Sequence, residues 1–203
     1  MKILRYGNTN TYYVPGAAGG LLIDTDLAGS LPRFFKAVKA AGISVDEIAY
    51  VMATHYHPDH MGIIGQLQKL GVRLLLIDVQ KNGIRFSDRI FARDRSLQES
   101  DYVPVDEDAA VVISCAESRR LLESIGIAGE IVSTPSHSED SVSVILDDGS
   151  CFVGDLEPAG YIEAYGGNPA LERDWELVLG TGAKQKAKHI YYAHVNDKEI
   201  VLF

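Results

Sequence analysis

The stretch Thr54-His55-Tyr56-His57-Pro58-Asp59-His60 packs three imidazoles and a carboxylate into six consecutive residues: His55, His57, Asp59 and His60 are all good ligands for a divalent metal. Nothing else in the sequence looks like it. Upstream, Ile48 to Ala53 reads as a buried strand, and downstream Met61 to Leu70 carries the apolar spacing of a helix opening on Gly62. The ligands therefore fall on a strand-to-helix loop. His55 and His57 are two apart in an extended segment, so both rings point to one side. Asp59 and His60 enter the helix beyond Pro58. Such a loop supplies groups for two metals. Of the other histidines, His137 follows a Thr-Pro turn between strand-like runs, and His194 ends the strand-like run from His189 to Ala193.

The rest of the chain alternates strands and helices. Ile3 to Tyr6, Thr11 to Val14 and Gly20 to Asp24 read as a strand meander, with Asn8 and Asn10 as turn formers and one of Tyr12 and Tyr13 facing a core. Leu31, Phe34, Phe35, Val38 and Ala41 have helical spacing ended by Gly42. Arg73 to Ile77 is a buried strand, Ala109 to Ser114 a strand, Glu117 to Ile125 a helix, and Gly129 to Ser133 a strand leading into His137. Asp147-Asp148-Gly149 between two alternating runs is a hairpin turn, which gives its aspartates a turn role. Leu156 to Gly167 is loop-like, and Pro169 to Leu179 is an amphipathic helix. The segment from Asp78 to Asp108 is the least regular. It reads either as solvated surface or as a lid over the metals, in which Arg85 and Arg89 would hold an anionic group of the substrate. Tyr161 and Tyr165, in the loop after Asp155, are further candidates for substrate contact, against the alternative that they simply pack.

Taken in order, these landmarks resemble the metallo-β-lactamase superfamily over nearly the whole chain. Leu21-Leu22-Ile23-Asp24-Thr25 is similar to that family's first motif, His55, His57, Asp59 and His60 to the second, and His137 in Thr134-Pro135-Ser136-His137-Ser138 to the third. Asp155 in Phe152-Val153-Gly154-Asp155 and His194 in Tyr191-Tyr192-Ala193-His194 resemble the fourth and fifth. The resemblance implies an α/β fold, a four-layer αββα sandwich of two mixed sheets flanked by helices, in one domain over residues 1–203. It also implies that His55, His57 and His137 bind one metal and Asp59, His60 and His194 a second. Asp155 would bridge them, and Asp24 and Thr54 would support the ligands from behind. Two divalent ions are expected, zinc by default, with iron or manganese compatible with the same donors. Ser136 stands where the family often has Gly, and Glu139-Asp140 where it often has Pro-Gly. Those acidic residues are expected at the mouth of the site, either repelling anions or pairing with the arginines of the 78–108 segment.

The implied activity is hydrolysis by a metal-activated water, with Asp59 and Asp155 assisting proton transfer. A small activated acyl compound, a thioester, lactone or ester, is the expected substrate. Phosphodiester hydrolysis on the same metals is the alternative, and a metal-holding sensor without turnover is the alternative of another class. A formal net charge of −9, with no sustained basic run, weighs against a nucleic-acid partner. No stretch reaches the roughly 18 apolar residues of a membrane span, and the N-terminal residues lack the apolar core of a signal peptide, so the expectation is a cytoplasmic protein with a small-molecule substrate and no membrane partner. Cys115 and Cys151 follow apolar runs and read as small buried residues rather than nucleophiles or ligands.

Overall fold

In the computed structural model, residues 1–93, 101–164, 166–180, 187–194 and 198–199 are described. The meander forms as β1 (Lys2–Arg5), β2 (Asn10–Val14) and β3 (Gly20–Ile23), antiparallel throughout. The polypeptide then crosses through α1 (Leu31–Ala40) into β4 (Ile48–Met52), parallel to β3. Next come α2 (Pro58–Met61), α3 (Ile64–Lys69), β5 (Arg73–Ile77), α4 (Lys81–Arg93) and β6 (Val111–Ile113). These strands make a six-stranded sheet in the order β1-β2-β3-β4-β5-β6, with β4, β5 and β6 parallel. Beyond α5 (Cys115–Ser124), the second sheet is built from β7 (Gly129–Ser133), β8 (Val142–Leu146), β9 (Ser150–Gly154), β10 (His189–Tyr192) and β11 (Lys198–Glu199). Its order is β11-β10-β9-β8-β7. The hairpin of β8 and β9 is antiparallel, β10 runs parallel to β9, and α6 (Gly160–Ala164) and α7 (Pro169–Leu179) lie between β9 and β10 in sequence.

Side-chain alternation sorts the apolar residues into three layers of core. Tyr12, Leu21, Ile23, Tyr50, Met52 and Leu75 of the first sheet meet Val142, Val144, Leu146, Phe152 and Tyr191 of the second. Their neighbours in sequence point the other way. Tyr13, Leu22, Val51, Leu74 and Leu76 pack under Phe34, Val38, Leu67, Ile84 and Phe91 of the helices, while Ile145, Cys151, Val153 and Ile190 pack under Leu171, Trp175 and Val178 of α7. Two sheets, each with one face on the other and one face under helices, give the αββα sandwich that the resemblance implies. Covering both faces also corrects one expectation: Tyr12 and Tyr13 are both buried, at 1% and 7% exposure, on opposite sides of β2.

Other local readings change as well. The helix expected from Met61 to Leu70 starts earlier, because Pro58 follows the extended His57 at the first helical position. It then breaks between α2 and α3, where Gly62 lies against the 26–28 backbone so closely that a Cβ would sit 2.2 Å from the Ala28 nitrogen. The irregular 78–108 segment holds a thirteen-residue helix, α4, whose Ile84, Ser87 and Phe91 are buried; residues 94–100, with Arg95, lie outside the described residues. The loop after Asp155 includes the short α6. Asn10 is a β2 residue rather than a turn former, and its side-chain amide donates to the Tyr192 carbonyl at 3.0 Å. His189 is half-buried, with its ring stacked on Tyr191. Of the two cysteines Cys151 is buried, but Cys115 is only partly so.

The sheets are joined at one edge. Asn10 N–H donates to the Ala193 carbonyl at 2.7 Å, and Val142 N–H to the Thr54 carbonyl at 2.8 Å. Buried Tyr12 Oη donates to the Tyr192 carbonyl at 2.6 Å. This is the edge at which β3, β4, β7, β9 and β10 all end.

Candidate metal centre

The five motifs leave the C-terminal ends of strands: the supporting Asp24 follows β3, and the expected ligands His55, His137, Asp155 and His194 follow β4, β7, β9 and β10. Gly154 makes the last turn before Asp155. It has φ of 58°, and a Cβ there would lie 2.3 Å from Thr54 Oγ1, so glycine alone lets the second sheet bring Asp155 up against the first.

The side chains converge. His55 Nε2 lies 2.9 Å from His57 Nδ1, and His137 Nε2 lies 3.4 Å from the same His57 nitrogen. Three ligand sets have all their ligating atoms within 4.8 Å of one another: His55, His57 and His137; His55, His60 and Asp155; and Asp59, His60 and His194. Asp155 touches all of them. Its Oδ2 is 3.9 Å from His55, 3.8 Å from His137 and 3.4 Å from His60, while its Oδ1 is 3.4 Å from His194. Asp59 Oδ2 lies 3.3 Å from the same His194 nitrogen.

Behind this layer, Asp24 accepts hydrogen bonds from Thr54 N–H at 2.6 Å and from Thr54 Oγ1, and its other oxygen stands 3.3 Å from His60 Nδ1. The carboxylate thus fixes both the start of the histidine loop and the face of a fully buried ring. Asp24 itself has φ of 58°, a strained backbone for a non-glycine residue, held by these bonds.

The charges around the cluster are far from their solution balance. Burial holds His55 well below the usual imidazole range, helped by the neighbouring rings, and burial likewise lowers His137. Burial opposes charge on His60 too, but the Asp24 and Asp155 carboxylates beside the ring outweigh it and lift His60 to about 10. Hydrogen bonds to Asp155 and Asp59 push His194 up to about 11. Burial works against ionisation of Asp155, and the imidazoles of His194 and His60 against it overcome that to hold the carboxyl far below its ordinary range.

The donor set fits divalent metal ions. Both ring nitrogens of His60 are buried with the Asp24 and Asp155 carboxylates 3.3 and 3.4 Å away but out of line for a hydrogen bond, a costly state for polar atoms at zero exposure. His55 and His137 both aim Nε2 at the one Nδ1 of His57, at 2.9 and 3.4 Å. Imidazole and carboxylate without thiolate suit zinc, iron or manganese.

Several residues the sequence singled out lie elsewhere. Arg85 and Arg89 are on the exposed side of α4 and line neither cavity flanking the cluster, and Tyr161, exposed on α6, lines neither as well. Tyr165 lies outside the described residues. Asp140 corrects the expectation of an acidic mouth: it is buried, and its carboxylate accepts from Tyr56 N–H at 2.7 Å and from Ser138 Oγ at 2.8 Å, so it braces two ligand loops instead of repelling anions or pairing with arginine. Two bracing residues carried no sequence signal. Gln80 donates to the carbonyls of Ala53, Thr54 and Asp140, and fully buried Asp174 on α7 accepts from Ser136 N–H at 2.7 Å, next to His137.

Comparison with known proteins agrees with this geometry. A family model described as the metallo-beta-lactamase superfamily matches residues 4–194. The chain belongs to the metallo-β-lactamase superfamily. Among solved structures, this superfamily member is similar to a metallo-beta-lactamase family protein from Thermus thermophilus, with a TM-score of 0.67 and 22% identity over 93% of this chain and 69% of that one. It is also similar to TTHA1623, solved in a di-iron-bound form, with a TM-score of 0.69 and 18% identity over 98% and 94% of the two chains. A third is the metallo-β-lactamase FIM-1 from Pseudomonas aeruginosa in a mono-zinc form, with a TM-score of 0.63 and 16% identity over 97% and 83%. Family membership and the histidine cluster together support a metal-dependent hydrolase. Among the described residues, no helix is long and apolar enough to cross a membrane.

Proposed function

We propose that this protein hydrolyses a small activated acyl compound, a thioester, lactone or ester, at a centre of two divalent ions. The observation that carries the reading is the position of Asp155, whose two oxygens reach both histidine sets. His55, His57 and His137 would hold one ion, Asp59, His60 and His194 the other, with Asp155 between them. When bound, such ions bring the pKa of a water down to about 7 and polarise a carbonyl oxygen. Zinc is the ion we propose, since tetrahedral nitrogen and oxygen sites suit it; iron and manganese are compatible with the same donors.

The chain's own groups do the rest. Asp24 and Thr54 keep the His60 ring and the loop in place, so the ligand nitrogens are presented without reorganisation. Asp59, half-buried and at the open side of the cluster, orients the attacking water and moves its proton towards the leaving group. No side-chain nucleophile is required. Burial pushes the Cys151 thiol up to about 12 and raises Cys115 as well, so neither is a thiolate at neutral pH.

Acyl rather than phosphoryl chemistry is favoured by the walls. The two cavities beside the cluster present Glu139 and Glu157, and no lysine or arginine among the described residues lines either. Beyond the ions themselves, a phosphodiester would find no counter-charge on these walls. Metal-loaded protein assayed against chromogenic thioesters, lactones, esters and bis-aryl phosphates tests this. Turnover of at least one acyl class, abolished by chelator, is expected. Faster turnover of the phosphate than of every acyl compound would reverse the choice, and no turnover of any of them would favour a metal-holding sensor.

A further inference from the structure

The cavity on the far side of His57 has a composition that the metal chemistry does not explain. It measures about 280 Å³ and is walled by Tyr56, His57, Val79, Asn82, Phe86 and Glu139. Phe86 and Val79 are large apolar residues left 47% and 45% exposed, and both look into this one space. The Phe86 ring stands 6.2 Å from the ring of His57, so the cavity opens directly on the reactive cluster. Glu139 is exposed, and neither its side chain nor that of Asn82 makes a hydrogen bond or ion pair among the described residues.

The walls are fixed in place. Tyr56 N–H is held by Asp140 at 2.7 Å and its carbonyl by Ser87 Oγ of α4. The residues on either side of Glu139 are bonded to each other, Ser138 Oγ to Asp140 Oδ1 at 2.8 Å, which sets where the Glu139 side chain leaves the backbone. The cavity is thus preformed, apolar on the α4 side, and negative at its rim.

We propose that this cavity is a subsite for a cationic arm of the substrate: an ammonium or guanidinium on a short apolar stem, with Glu139 as counter-charge and Phe86 against the stem. An anionic arm would meet Glu139 with no compensating cation. A neutral apolar arm would use Phe86 and Val79 but leave Glu139 unused. The cation uses both walls, and the face of Phe86 adds its own attraction for positive charge. The role of this arm in turnover rests on the acyl-hydrolase reading, whereas its binding does not.

The test is calorimetric titration of metal-loaded protein with 3-phenylpropylammonium, 3-phenylpropanol and 3-phenylpropanoate. From an exposed ion pair and one cation–π contact, the ammonium should bind about tenfold tighter than the alcohol. Glu139→Gln, at an exposed position, should bring the ammonium most of the way down to the alcohol, and Phe86→Ala should weaken both, the ammonium more than the alcohol. Equal or tighter binding of the alcohol by the native protein, or a ratio unchanged in Glu139→Gln, overturns the proposal. Phenyl esters of 4-aminobutanoate, butanoate and succinate then separate the two readings. The ammonium preference without hydrolysis of any ester leaves the subsite standing and removes the acyl hydrolase; hydrolysis without that preference does the reverse.

Discussion

Asp155 is the residue on which the two halves of the centre depend. Its carboxylate lies within 4 Å of four imidazoles that belong to different ligand sets. Asp155→Ala is therefore expected to lower metal content at both positions, whereas His194→Ala, which removes a ligand from the Asp59 and His60 set only, should lower it at one. Metal analysis of the purified variants checks this, and one tightly held ion surviving in Asp155→Ala would show that Asp155 does not bridge. At this scale the sequence was informative where chemistry is concentrated. Three histidines and an aspartate within a few residues cannot be mistaken for core, and their partners His137 and His194 stand at the ends of readable strands. Asp174 and Gln80 were illegible for a physical reason. Their partners are backbone groups 38 and 26 residues away, and a backbone N–H or carbonyl leaves no mark on a sequence. The same holds for Asp140, whose buried bond to the Tyr56 N–H runs across 84 residues and turns an apparent surface charge into a brace.

Whole elements were legible where one face is largely apolar, as in α1, α7 and every strand of the two central layers except β11. Helix α4 was not, because Ser87 interrupts its buried stripe of Ile84 and Phe91, and that serine is there to bond the Tyr56 carbonyl. Helix α7 also acts beyond its apolar face, through the Asp174 carboxylate under the His137 loop. Asp174→Ala leaves the Ser136 N–H without its acceptor and should cost about 1–3 kcal/mol, with weaker metal binding on the His137 side. Asp174→Asn retains an acceptor oxygen and should lose less of both. Thermal unfolding together with metal titration distinguishes a local brace from general destabilisation: equal metal affinity in both variants and the native protein would reduce Asp174 to packing. Between the sheets, Phe152 stacks on Tyr191 at 5.1 Å and leans on Tyr12 at 5.0 Å. Phe152→Ala should destabilise the fold by about 3–5 kcal/mol, read from denaturant unfolding.

On the scale of the whole molecule, the metal centre is a cross-link. The second-motif histidines hang from β4 of one sheet, and His137, Asp155 and His194 from β7, β9 and β10 of the other, so an ion bound among them ties the two sheets together. Free metal at a thousand times its dissociation constant should add about 4 kcal/mol to stability. How that increment varies with pH follows from the imidazoles. His60 and His194 are raised to about 10 and about 11 in the metal-free fold, against 6.5 in an unfolded chain. The stabilisation they give the metal-free protein is therefore full below pH 6.5 and is lost as pH rises towards 10 and 11. His55 and His137 are lowered, so their contribution is present above pH 6.5 and is lost as pH falls below it. For this cluster the metal-free stability peaks near pH 6.5. Metal binding needs neutral rings and must displace the protons on His60 and His194, which becomes easier as pH rises. The metal-induced shift in melting temperature should then grow steadily from pH 6 to pH 9, with protons released on metal addition in unbuffered solution at pH 7. A shift that stays flat over that range, with no proton release, would mean that His60 and His194 are already neutral before the metal arrives and that the carboxylates do not hold them charged.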